Sequence, residues 1–170
     1  MTFHDFEEFI GSLNENRVRY LIVGGYAVAF HARPRATKDI DVLVDRSLAN
    51  AKRLRTALAG FLGAEESSFD LAALTNPRTL LVLGRPPVRI DVLTAIDGVP
   101  SFTAAWRRRS DGVYASTPAH YISLRDLIAS KRAAGRPQDK ADVDVLERAA
   151  AREPLSRPRP RKKAGAARSR

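Results

Sequence analysis

The chain has 170 residues, 44% of them hydrophobic and 28% charged, with a net charge of +10 and no cysteine. That length suits one domain with an apolar core. The missing cysteines exclude disulfides and thiolate metal sites, and no apolar run approaches the roughly 18 residues of a membrane helix. The charge is uneven: residues 152–170 hold eight basic side chains and one acid, a local +7, which leaves +3 on residues 1–151. The stretch Arg157-Pro158-Arg159-Pro160-Arg161-Lys162-Lys163 has no apolar periodicity. A domain over 1–151 and a disordered basic tail over 152–170 are therefore expected. Met1-Thr2-Phe3-His4-Asp5 shows no basic segment leading into an apolar one, so cytoplasmic residence is expected.

In chain order, the patterning predicts a helix over about 4–16, a strand over 19–23 and a short helix over 25–31, the last two meeting at Gly24-Gly25. A strand follows over 39–44, then a helix over about 47–60 with Ser47 as its N-cap. Two strands near 79–83 and 88–93 are joined by Gly84-Arg85-Pro86-Pro87. A helix near 102–109 and a small strand near 113–116 come next. Two closing helices, about 123–134 and 138–151, are separated by Gly135-Arg136-Pro137, with Gly135 at a helix C′ position and Pro137 at a helix start. The mixture reads as α+β: a mixed sheet with helices mainly on one side, plus C-terminal helices. The order of the strands does not follow from one sequence.

The chemistry sits on three of these strands. Side chains at i and i+2 of a strand share a face, so Asp39 and Asp41 point the same way. Asp91 stands alone between Ile90 and Val92; on a neighbouring strand it completes a patch of three carboxylates. Such a patch repels itself unless a cation sits among the charges, and carboxylate oxygens are the ligands that Mg²⁺ takes beside water and phosphate. Gly24-Gly25 contributes a backbone without side chains at the start of a helix, where phosphate oxygens can be held.

The ordered set of Gly24-Gly25, a thirteen-residue spacer from Tyr26 to Lys38, Asp39-Ile40-Asp41 and the later Asp91 resembles the nucleotidyltransferase superfamily, the polymerase-β-like fold. Three longer stretches are similar to the small stand-alone branch that includes AbiEii-type toxins. They run from Val23 through His31 to Arg35-Ala36-Thr37-Lys38-Asp39-Ile40-Asp41, from Ser123 to Lys131, and from Arg136 to Asp142. The resemblance spans roughly residues 4–150. It implies transfer of a nucleoside monophosphate from an NTP to an acceptor hydroxyl by a two-metal mechanism, with Mg²⁺ or Mn²⁺ held by Asp39, Asp41 and Asp91. It also implies that Gly24 and Gly25 face the β- and γ-phosphates. Arg35, Lys38 and Lys131 are the candidates to balance the pyrophosphate. RNA or tRNA is the acceptor that a toxin–antitoxin enzyme of this kind would use, with a cognate toxin or antitoxin as partner. The alternatives are an antitoxin-like or regulatory enzyme that modifies a protein or small molecule, and a silent binding module of the same fold.

Other residues read more plainly. Asp45 is expected to be structural, His31 to pack or cap its helix, and Thr37 to bond locally or touch phosphate. Arg136 and Asp139 suit an ion pair at the helix junction. Lys131, four residues after Leu127, falls near the buried face of its helix and either snorkels or enters the cleft. Trp106, beside Arg107-Arg108-Arg109, suits a core position better than a base-stacking platform.

Overall fold

The computed structural model describes residues 3–34, 36–86 and 88–152. Helix α1 (Phe3–Glu15) buries Phe6, Phe9, Ile10 and Leu13, whose i, i+3, i+4, i+7 spacing makes one apolar stripe. Strand β1 (Tyr20–Val23) runs directly into α2 (Gly24–His31), and β2 (Asp39–Val44) leads to α3 (Leu48–Leu62). A single 3₁₀ turn (Glu66–Ser68) and a short helix α4 (Leu71–Thr75) precede β3 (Leu80–Arg85) and β4 (Val88–Leu93). Helix α5 (Phe102–Arg108), strands β5 (Ser110–Tyr114) and β6 (Thr117–Tyr121), and helices α6 (Leu124–Ala134) and α7 (Pro137–Arg152) complete the order.

The six strands form one mixed sheet in the order β3-β4-β2-β1-β6-β5. Strands β1 and β2 are antiparallel, with Val23 opposite Asp41, whereas β2 and β4 are parallel, with Asp39 opposite Arg89 and Asp41 opposite Asp91. Alternation then sorts the side chains: Ile40, Val42, Val44, Ile90 and Val92 are buried in the core on one face, and Asp39, Asp41, Arg89 and Asp91 share the other.

Two local expectations change. The single strand near 113–116 is instead a hairpin whose turn contains Ala115 at φ 51° between Tyr114 and Thr117. Pro118 and Gly112 argue against strand in isolation; Gly112 is accommodated because β5 lies at the sheet edge, and Pro118 on β6 because that strand meets β1 only at Tyr121, opposite Ile22. Ser47 occupies the N-cap position of α3 but its side chain makes no capping bond; its backbone N–H donates to Asp45 Oδ1 at 3.1 Å. Asp45 also pairs with Arg19 at 3.0 Å, the structural role expected of it. Gly135 caps α6 at φ 66° and Pro137 opens α7.

Asn50 locks the first turn of α3 to the sheet. Its Oδ1 accepts from the Arg19 N–H at 2.7 Å, and its Nδ2 donates to the carbonyls of Arg19 and Asp45 at 3.1 and 2.8 Å. The residue is 1% exposed, so an apolar replacement strands these backbone groups away from water. Asn50→Leu is expected to lower unfolding stability by about 2–3 kcal/mol, read as a lower urea midpoint at unchanged m-value.

Candidate active site

The close approach of β1, α2 and β2 starts from one glycine. Gly24 follows the strand residue opposite Asp41 and takes φ +61°, a backbone setting that costs an L side chain about 1–2 kcal/mol. A Cβ built there would lie 1.9 Å from Asp41 Oδ2 and 2.6 Å from its Cγ. The chain therefore needs glycine here on two independent grounds. Gly25 is buried in the first turn of α2, and no side chain caps that helix at its N-cap residue Val23. The amide end of α2 is thus presented beside the carboxylate face, with the positive end of its dipole leading.

Asp41 lies under the strongest field. Burial, then the neighbouring Asp91 and Asp39 carboxylates, push its pKa up to about 6, with Lys131 and Arg136 opposing. Asp91 is 6% exposed and its pKa is also raised, by burial first, with the Arg89 charge acting against it. Arg89 stands at the centre of the face: its Nη2 is 3.5 Å from Asp39 Oδ2 and its Nε 3.0 Å from Asp91 Oδ1. The Nε and Oδ1 atoms are buried without a satisfactory hydrogen bond, so the contact is a Coulombic pairing and not a directed one. Arg89 is a member of the site that strand alternation alone would have flagged, since it precedes Asp91 by two.

Helices α6 and α7 supply a second, fully paired cluster. Lys131 is 8% exposed, and its Nζ contacts Asp139 Oδ1 at 2.8 Å and Asp142 Oδ2 at 3.0 Å. Arg136 donates to the other oxygen of Asp139 at 2.7 Å, giving the ion pair expected at the junction. Against the cost of burial, the bonds from Lys131 and Arg136 hold the Asp139 carboxyl below its usual range. The start of α6 is pinned as well. Ser123 Oγ accepts from the Asp126 N–H and donates to its carboxylate, and Arg108 of α5 grips that carboxylate at 2.9 and 3.0 Å.

The remaining candidates separate. Lys38 is exposed on the loop before β2, and Thr37 bonds locally to the Asp39 carbonyl at 3.1 Å. Arg35 and residues 153–170 lie outside the described residues. His31 Nε2 meets the Ile122 carbonyl at 2.6 Å, which joins α2 to the segment before α6. Trp106 packs against the core, flanked by Phe102 and His120, with the Arg109 guanidinium 4.1 Å from its ring.

Oxygen donors, a cradle that a Cβ would fill and a buried Asp91 oxygen without a hydrogen bond suit a hard divalent cation. Among the described residues no three His, Asp or Glu side chains are yet gathered closely enough to form a ligand set. The Arg89 guanidinium spans Asp39 and Asp91 instead.

A glycine-led helix thus stands beside two adjacent strands that carry carboxylates. Over residues 2–149 the chain matches the family described as nucleotidyltransferase of unknown function (DUF6036), and it belongs to that family. It is an enzyme of the nucleotidyltransferase type. The search of curated proteins returned no match. Among solved structures, the chain is similar to the solution structure of the antibiotic-resistance factor ANT(2'')-Ia, with a TM-score of 0.48 at 14% identity over 88% of this chain and 82% of that one. It is also similar to the crystal structure of ANT(2'')-Ia in complex with adenylyl-2''-tobramycin, with a TM-score of 0.41 at 12% identity over 86% and 97%. No helix among the described residues is long and apolar enough to cross a membrane.

Two outcomes are expected from this geometry. Gly24→Ala should lose about 1–3 kcal/mol, from backbone strain and the displaced Asp41, read as a lower melting temperature. For pH, the native Asp41 binds its proton more tightly than the unfolded chain does, so the metal-free protein loses stability as pH rises from about 4 through about 6. Asp41→Asn should therefore melt higher than wild type at pH 7.5 in EDTA, by on the order of 2 kcal/mol, and the gap should close at pH 4.

Proposed function

We propose that the Asp39–Asp41–Asp91 face transfers a nucleoside monophosphate from an NTP to an acceptor hydroxyl with a divalent cation, Mg²⁺ or Mn²⁺. The observation that carries this reading is the register that sets Asp41 opposite Asp91 and against Gly24 at the amide end of α2. When bound, the metal supplies Lewis-acid stabilisation of the charge that develops between the attacking and leaving oxygens. Asp39 and Asp41 would hold it, together with Asp91. The amide end of α2 orients the β- and γ-phosphates, and exposed Lys38 and Arg136 flank the departing pyrophosphate. Lys131, whose ammonium Asp139 and Asp142 hold, serves the nucleotide through the positive charge it brings toward Asp41. Asp91, poor in hydrogen bonds and raised in pKa, is suited to receive the acceptor proton. The acceptor oxygen then attacks the α-phosphorus in line and pyrophosphate leaves.

The surroundings of Asp91 favour an RNA end as acceptor. On the outer strand β3, the residue opposite Asp91 is Val82, which is 45% exposed, and Leu80 two positions away is 55% exposed. Basic Arg89 lies next on the same face of β4. An apolar, basic edge suits a nucleobase and its phosphate, and disfavours a polycation, which calls for acids. The +7 carried by residues 152–170 adds sequence-independent attraction for the same kind of acceptor. In this reading the enzyme acts as the RNA-modifying member of a toxin–antitoxin pair.

The test is incubation with each labelled NTP, Mg²⁺ and bulk RNA or cell extract. RNA should become labelled. Asp41→Asn should lower transfer by at least about a hundredfold, and Asp91→Asn should do the same while NTP–Mg²⁺ binding persists. Wild-type transfer by Asp41→Asn at saturating Mg²⁺ contradicts the metal reading, and label on protein or small molecules alone contradicts the RNA acceptor.

A further inference from the structure

The carboxylate face has a guest cation of its own. The Arg89 side chain is 36% exposed, yet its guanidinium lies 3.5 Å from Asp39 and 3.0 Å from Asp91, bridging the two carboxylates beside Asp41. A guanidinium there relieves the same repulsion that a divalent ion would relieve, at the same oxygens. It cannot remain when a metal takes them, because two cations would then face each other across the carboxylates with little water between.

The fold leaves a way out. The residue opposite Arg89 on the outer strand is Gly84, which presents no side chain. Beyond β3 the sheet ends. The arginine can therefore swing toward the edge without displacing a packed neighbour. The opposite wall offers no comparable movement, since Lys131 is buried and held by Asp139 and Asp142. The pairing of Arg89 with Asp91 is also imperfect: the Nε and Oδ1 atoms approach without a proper hydrogen bond. A loosely made contact on a half-exposed side chain is easier to exchange than a bidentate buried one.

We infer that Arg89 is the intramolecular counter-cation of this site, a positioning residue that holds Asp39 and Asp91 in the metal-free enzyme and competes with the divalent ion for them. This rests on the metal reading above. Its consequence is that metal affinity in the free enzyme is set below what the carboxylates alone would give, so that loading is favoured once the phosphates of an NTP add their own oxygens.

The experiment measures Mn²⁺ binding to the full chain by electron paramagnetic resonance, without nucleotide, for wild type, Arg89→Gln, Arg89→Lys and Asp41→Asn. Melting temperatures are taken in EDTA and in saturating Mn²⁺. Arg89→Gln should bind Mn²⁺ about three- to tenfold more tightly than wild type, the scale of two partly exposed ion pairs. It should melt lower than wild type in EDTA and gain more from Mn²⁺. Arg89→Lys, whose single ammonium cannot span both carboxylates, should fall between, and it decides the matter if the glutamine variant does not fold. Equal or weaker Mn²⁺ binding by both Arg89 variants, with wild-type binding present and lost in Asp41→Asn, overturns the competition while leaving the metal reading intact. No Mn²⁺ binding by any of the four overturns both.

Discussion

Three carboxylates crowd one face of two neighbouring parallel strands, and most of the organisation around them answers the repulsion that follows. Asp41 and Asp91 are set opposite each other by strand register, with Asp39 one pleat away. Burial makes the problem worse, because water that would screen the charges is partly excluded. The protein responds from both sides. Arg136 and Lys131 bring positive charge from the C-terminal helices, and Arg89 brings it from the strand itself. Lys131 is in turn balanced by Asp139 and Asp142, so its own burial is tolerated. An imbalance remains at Asp41, whose proton is held to about pH 6. The remaining negative potential is what a cation and its phosphates would meet.

The second constraint is distance. Backbone amides and carboxylates can act at one place only if the helix end comes very near the acids. Strand β1 runs into α2 with no intervening loop, and its last residue pairs with Asp41. The helix start must then pass over that carboxylate, and the absent Cβ of Gly24 is what makes the passage possible. The Asn50 clip and the doubly bonded Asp126 tie the frame farther away, by holding α3 to the sheet and α6 to α5. The site is precise because the elements that carry it are short and tied at their ends.

The two walls of the face differ in kind. On the side of α6 and α7 the charges are buried and closed in a network. On the side of β3 the edge is open, apolar and basic. The two walls thus differ in both exposure and charge balance.

Much of this was legible before any fold. The glycine pair, the i, i+2 aspartates and the apolar runs around Asp91 are local patterns, and local patterns follow from covalent geometry: a strand alternates faces whatever it packs against. The same holds for the Gly135 cap and the Pro137 helix start. The hairpin at Ala115 was not legible, because Gly112 and Pro118 weaken its strands as isolated segments and only pairing across the turn restores them. The strand order, the partners of Lys131, the Arg89 bridge and the Asn50 clip were not legible either. Each joins residues from separate elements or from neighbouring strands, and which ones meet depends on how those elements pack. Sequence determined that carboxylates and a glycine turn existed to be used; tertiary packing decided that Asp91 would lie beside Asp41, which cations would stand near, and which edge would stay open.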